Sequence, residues 1–187
     1  MKNRIKFNLA SGIGLLLLLC TQTGYSQKVK IIRAKRVNEI RKILRNNLGP
    51  KDKLIELRNP TCFVAKEVLT NKMHYFIVYV YGGNECGSGG CPLYLMKLNI
   101  KNHMDIISKT LTVWTPIYIL RPIVNGFHDL AVMVHGGGVI HPYNCLLKYK
   151  YQGYQNSPYN CYINSVKYGI KIISNHTLRY HSYKLYN

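Results

Sequence analysis

Four side chains in one stretch, "NGFHDLAVMVHGGGVIHPY", could do chemistry: His128, Asp129, His135 and His141. An Asp beside a His invites an acid/base reading, and His pairs ligate metals. Strand geometry separates part of the set, because Asp129 and His135 on one strand face would lie about 20 Å apart. A hairpin turn at Gly136 to Gly138 would instead set His135 opposite His141. That pair lacks an obvious carboxylate to complete a metal set, and paired turn-flanking histidines without a ligand are the plainer reading.

The second chemical candidate is the cysteine pair of "GGNECGSGGCPLY", Cys86 and Cys91. A redox pair usually encloses two residues and opens a helix that lowers the thiol pKa. Here the spacer is "GSGG" and the following "PLYLMKL" reads as a strand. Zinc would need a second knuckle, and a phosphate loop would need a helix with a Lys and a Ser or Thr behind its glycines. Neither is present, which leaves a disulfide across the mouth of a hairpin loop, worth about 2 kcal/mol for so short a closure. No GxSxG, HExxH, Walker A or dinucleotide fingerprint occurs, so no cofactor is expected. Sixteen tyrosines and Trp114 could stack on glycans or single-stranded nucleic acid. Their even scatter favours their ordinary role as strand residues, and nucleic acid is accordingly a disfavoured partner. "NHT" at Asn175 matches a glycosylation acceptor.

These residues sit in a chain that opens as an export leader. In "MKNRIKFNLASGIGLLLLLCTQTGYSQ" three basic residues precede an apolar run, and Gly24 and Ser26 precede a cleavage point before Gln27. The run is too short to span a membrane, which needs roughly 20 residues. Lipidation of Cys20 is the less favoured alternative, because the bulky Leu19 precedes it. Removing residues 1–26 takes away three basic and no acidic groups, so the formal charge falls from +19 to +16. Such a balance favours an anionic macromolecular partner, although Lys and Arg also keep a Tyr-rich protein soluble. Five cysteines follow the leader (Cys62, Cys86, Cys91, Cys145 and Cys161). An oxidising compartment would form two bridges from them and leave one thiol over.

The elements that must position these groups are read as one domain, residues 27–161, with a C-terminal β extension at 162–187. Over residues 28–48 apolar side chains recur at Val29, Ile32, Val37, Ile40, Ile43, Leu44 and Leu48, one face of a helix that Gly49 and Pro50 stop. Arg33, Arg36, Arg41, Lys42 and Arg45 surround the rest of it and are the candidate partner-binding residues. Such a helix could also lie on a membrane surface, but more commonly its apolar stripe packs on its own domain.

After Pro60 the pattern is β: Cys62–Val68, His74–Tyr81, Pro92–Asn99, Asp105–Thr112, Ile117–Ile123, Asp129–His135 and Asn144–Tyr151, with weaker runs at Val166–Ile173 and Leu178–Leu185. The fold class expected is α+β, mainly β, with the helix packed on an antiparallel meander or barrel-like sheet.

The segments "YVYGGNECGSGGCPLYLMKL", "NGFHDLAVMVHGGG" and "LLKYKYQGYQNSP" together resemble a family of small exported bacterial proteins. Its members carry a CGSGGC-type loop between two strands, a later NGxxDL strand ending in glycines, and a closing strand with a Gly-Tyr turn. The likeness spans about residues 38–158. Many relatives hold an acidic Asp-Gly turn before the first central strand, where this chain has "CFVAKEVLTNKMHYF", so no metal site is implied there. The resemblance implies envelope export, a Cys86–Cys91 bridge and a β fold, and no activity.

The sequence thus supports an exported, non-enzymatic envelope protein, an inhibitor or immunity protein among the options, that engages an anionic macromolecule, foremost an envelope protein. The competing readings are a hydrolase or metal-dependent enzyme centred on His128, Asp129, His135 and His141, and a membrane-surface protein bound through its helix.

Overall fold

The computed structural model describes residues 28–186 apart from 31, 52, 71–72, 137, 151–152, 155–161 and 164–168. The expected leader with Cys20, and Cys161, lie outside the described residues. In chain order the elements are β1 (Lys28–Lys30), α1 (Ala34–Leu48), α2 (Lys53–Arg58), β2 (Cys62–Leu69), β3 (His74–Tyr81), β4 (Cys91–Leu98), β5 (Met104–Val124), β6 (Phe127–Gly136), β7 (Val139–Leu147), β8 (Tyr162–Ile163), β9 (Ile170–Ile173), α3 (Asn175–Tyr180) and β10 (Tyr183–Lys184).

Among the described residues every strand pairing is antiparallel, and the sheet runs in sequence order from β1 to β8 without closing. This is the mainly β meander with a covering helix that the pattern predicts. It is not a barrel. The central strand β3 is buried on both faces, and its period of two divides it between two cores. Phe76, Val78 and Val80 join Phe63, Ala65, Tyr94 and Met96 of the neighbouring strands, and α1 covers them with Val37, Ile40 and Leu44. On the other face Tyr75, Ile77 and Tyr79 meet Ile117 and Ile119 of β5, Leu130 and Val132 of β6, and Leu147 of β7. The meander therefore doubles back on itself, and β2–β4 form the middle of three layers.

The turning element is β5. Two strands are expected there, and one strand of 21 residues is found. Its first part, through Val113, pairs with β4, and its second, from Trp114, pairs with β6 and β9. The ladder slips register between Trp114 and Ile117, and Thr112 takes φ +60°. Such irregularities bend a strand without ending it.

Two more expectations are corrected. The helix does not begin at residue 28: Lys28–Lys30 pairs with Leu69–Glu67 at the edge of β2. A Lys-Val-Lys triplet fits either period, and sheet pairing decides it. The helix starts after Arg33, and Ile32 shares a core cluster with Val37 in the manner of a hydrophobic staple. Likewise the expected strand Leu178–Leu185 becomes α3 and β10. Ser174 and Thr177 form a reciprocal capping box that starts the helix, and Tyr183–Lys184 then pairs with Phe63 and Cys62 of β2.

Candidate functional site

The structure distributes the His and Asp candidates among separate duties. His128 and Asp129 are consecutive on β6 and both buried. The His128 ring donates from Nδ1 to the Leu120 carbonyl at 2.7 Å. Burial is the largest influence on this imidazole and holds its pKa below the ordinary value, against the opposing pull of the Leu120 bond and the Asp129 charge. Asp129 Oδ1 accepts the Tyr149 backbone N–H at 2.9 Å. The His128 backbone N–H donates to the Tyr75 hydroxyl at 3.3 Å, and its carbonyl accepts from the Tyr154 hydroxyl. Phe127 stacks on Tyr149 with ring centroids 4.4 Å apart, and Tyr149 meets Tyr154 edge-on. Asp129 and His128 thus stitch Tyr149 and Tyr154 onto the doubled sheet.

His135 and His141 lie elsewhere, at the exposed tip of the β6–β7 hairpin. The turn falls where the glycines predict it. His135 stands between the pairs Val134–Tyr143 and Gly136–Val139, opposite the irregular stretch that holds His141. The His135 carbonyl accepts the Trp114 indole N–H at 2.7 Å. Among the described residues no group of three or more His, Cys, Asp or Glu side chains is placed to hold a metal ion.

Cys86 and Cys91 are joined by a disulfide, their Cα atoms 4.1 Å apart. Inside the loop Gly87 and Gly90 exchange backbone hydrogen bonds of 2.9 and 3.1 Å. Gly90 at φ +129° could not carry a side chain, since a Cβ would lie 2.7 Å from Val113 backbone atoms. Gly136 approaches the Ser88 carbonyl so closely that its Cβ would fall 1.8 Å away. The two glycine-rich loops therefore pack against each other. Cys145 is also disulfide-bonded, while Cys62 is free and half-buried.

The basic helix face is partly committed to the fold. Arg36 pairs with Glu39 at 2.6 Å and donates to the Asn102 side chain at 2.6 Å. Glu39 in turn accepts the Met104 N–H at 2.8 Å. Arg41 donates to the Lys184 carbonyl at 3.1 Å, and Arg45 donates to the Leu185 carbonyl at 2.7 Å while lying over the Tyr186 ring. Arg33 and Lys42 are exposed.

The clamp between α1 and the turn before β5 forms a groove of about 630 Å³, lined by Lys35, Arg36, Asn38, Glu39, Lys42, Ile43 and Asn46 on one side and Lys101–Met104 on the other. Four cationic side chains face one carboxylate there, and that carboxylate is already paired with Arg36. Asn38, Lys42 and Asn46 continue into a smaller hollow with Arg41 and Arg45.

The groove thus adds Lys35, Lys101 and His103 to the residues expected from the helix alone. The polar "NIKNHMD" turn signals a loop, but nothing local in it announces contact with a helix more than sixty residues earlier. No helix among the described residues is long and apolar enough to cross a membrane. Comparison of the chain with known protein families, characterised proteins and solved structures finds no match.

Proposed function

We propose that this chain is an exported, non-enzymatic binding protein of the cell envelope that engages an acidic partner protein through the groove between α1 and the turn at Lys101–Met104. An inhibitor or immunity role against an incoming effector is the specific form of this reading. The observation that carries it is the cluster of Lys35, Arg36, Lys42 and Lys101 around one concavity, with Glu39 as the single carboxylate among the described residues that line it. Cationic side chains along a cleft concentrate field and steer an acidic partner into it. The basic leader with its apolar run supports export, and the Cys86–Cys91 disulfide is consistent with it. The hydrolase reading is the weaker one, because His128 and Asp129 are absorbed in structural hydrogen bonds away from the exposed His135 and His141. A membrane-surface role through α1 would need an apolar stripe, and Val37, Ile40 and Leu44 are inside the protein.

The test is affinity capture from envelope extract with residues 27–187, at low and at high salt, beside two variants. The expected result is a protein partner that is lost at high salt and with Lys35→Glu, Lys42→Glu and Lys101→Glu combined, but retained by His135→Ala with His141→Ala. Retention at high salt, or loss only with the histidine variant, would overturn the proposal.

A further inference from the structure

A second concavity opens at the C-terminal end of α1, where Tyr186 donates its hydroxyl to the Gly49 carbonyl at 2.6 Å. It measures about 460 Å³ and its apolar lining is Pro50, Leu57, Pro60 and Tyr186, a size in the ordinary range for ligand pockets of about 300–1,000 Å³. Leu57 is 80% exposed in it. A large aliphatic side chain left open in a concave site is the arrangement that a partner's apolar anchor fills.

The charges around this cavity define the anchor's neighbours. Among the described residues two carboxylates are near and both are engaged within the protein: Glu56 accepts the Thr61 N–H at 2.8 Å and its hydroxyl at 2.5 Å, and Glu85 pairs with Lys51 at 2.5 Å. Lys184, which also lines the cavity, is exposed and has no ion-pair partner among the described residues. Arg45, over the Tyr186 ring at 5.7 Å, links the cavity to the hollow on α1 that adjoins the basic groove. The cationic tract is therefore continuous across α1, from groove to cavity.

We infer that the cavity beside Leu57 and Tyr186 is the anchor pocket of the same partner, which presents a large apolar side chain flanked by acidic residues. The inference rests on the proposed function and names the chemistry of its partner. Leu or Phe fits the apolar lining, and Asp or Glu on either side of it would meet Lys184 and the Arg45 end of the helix. A second copy of the chain is the poorer occupant, because it would bring together two surfaces of the same strong positive charge.

The experiment uses labelled peptides on residues 27–187, read by fluorescence anisotropy. One peptide is an acidic segment with a central Phe, one has Ala in its place, and one keeps the Phe but replaces the acids by Ser and Gln. The Phe-acidic peptide should bind about tenfold or more tightly than the Ala-acidic one. Leu57→Ser, at an exposed position, should abolish that difference, and Lys184→Gln should weaken both acidic peptides together. Equal, salt-sensitive binding of the two acidic peptides would overturn the anchor pocket and leave the proposed function standing. No binding of either acidic peptide at low salt would overturn both. Tight binding of the uncharged Phe peptide, or a dimer in sedimentation that Leu57→Ser dissolves, would overturn the acidic partner as the pocket's occupant.

Discussion

His128 shows how a residue that looks catalytic can be structural. Its ring is buried, tied to the Leu120 carbonyl of β5, and burial favours its neutral form. The folded-state pKa is therefore below the ordinary value of 6.5, whereas the unfolded chain binds a proton near that value. The unfolded state thus holds more protons at mildly acid pH, and stability must fall as pH drops through 6.5 toward the folded-state pKa. In urea denaturation the wild-type midpoint should decline between pH 7 and 5.5. His128→Asn, whose amide can reproduce the Nδ1 donor, should decline less over the same interval. Identical pH dependence in the two proteins would show that another group governs acid stability. The neighbouring Asp129 is legible in the sequence as a polar residue within an apolar strand, but not its partner: the Tyr149 N–H comes from beyond β7, twenty residues away.

At the scale of elements, the last residues do more than extend the sheet. Between Tyr183 and Tyr186 the chain pairs with β2, receives Arg41 and Arg45 on its carbonyls, donates the Leu185 N–H to the Thr61 carbonyl at 2.8 Å, and buries Leu185 fully in the cluster under α1. The segment is a strap between helix and sheet. Leu185→Ala should cost about 2–4 kcal/mol, read as a lowered urea midpoint with unchanged slope, while Ile170→Ala on the half-exposed edge strand β9 should cost much less. Comparable small losses would mean the strap is dispensable.

The sequence announces the central strands well, and β3 falls at its expected bounds, because runs such as "HYFIVYVY" carry their own burial signal. It announces the short pieces poorly. A three-residue β1, a two-residue β10 and the bend that keeps β5 continuous exist only because a neighbour is in place to pair with them. The start of α3 is an exception, because its signal is local: Ser174 and Thr177 in "SNHT" cap the helix, although Thr177 also completes the "NHT" glycosylation acceptor.

For the molecule as a whole, charge links stability to the proposed acidic partner. Residues 27–187 carry +16 with only seven acidic groups, and among the described residues those acids are largely paired or hydrogen-bonded inside the fold: Glu39 with Arg36, Glu67 with His74, Glu85 with Lys51, Asp129 with Tyr149. The remaining cations repel one another, which destabilises the compact state. Raising ionic strength from about 0.01 to about 0.15 M shortens the screening length from about 30 to about 8 Å. The free protein should therefore melt at a higher temperature in salt, by about 2–4 °C for each kcal/mol of repulsion relieved. An acidic partner relieves the same repulsion by contact, so the increment in Tm that it confers should shrink over the same salt range. The two trends have opposite signs, and a single set of melting curves with and without an acidic peptide measures both. A free protein that loses Tm on adding salt would show that self-repulsion is not a governing term, and the physical basis for an acidic partner would go with it.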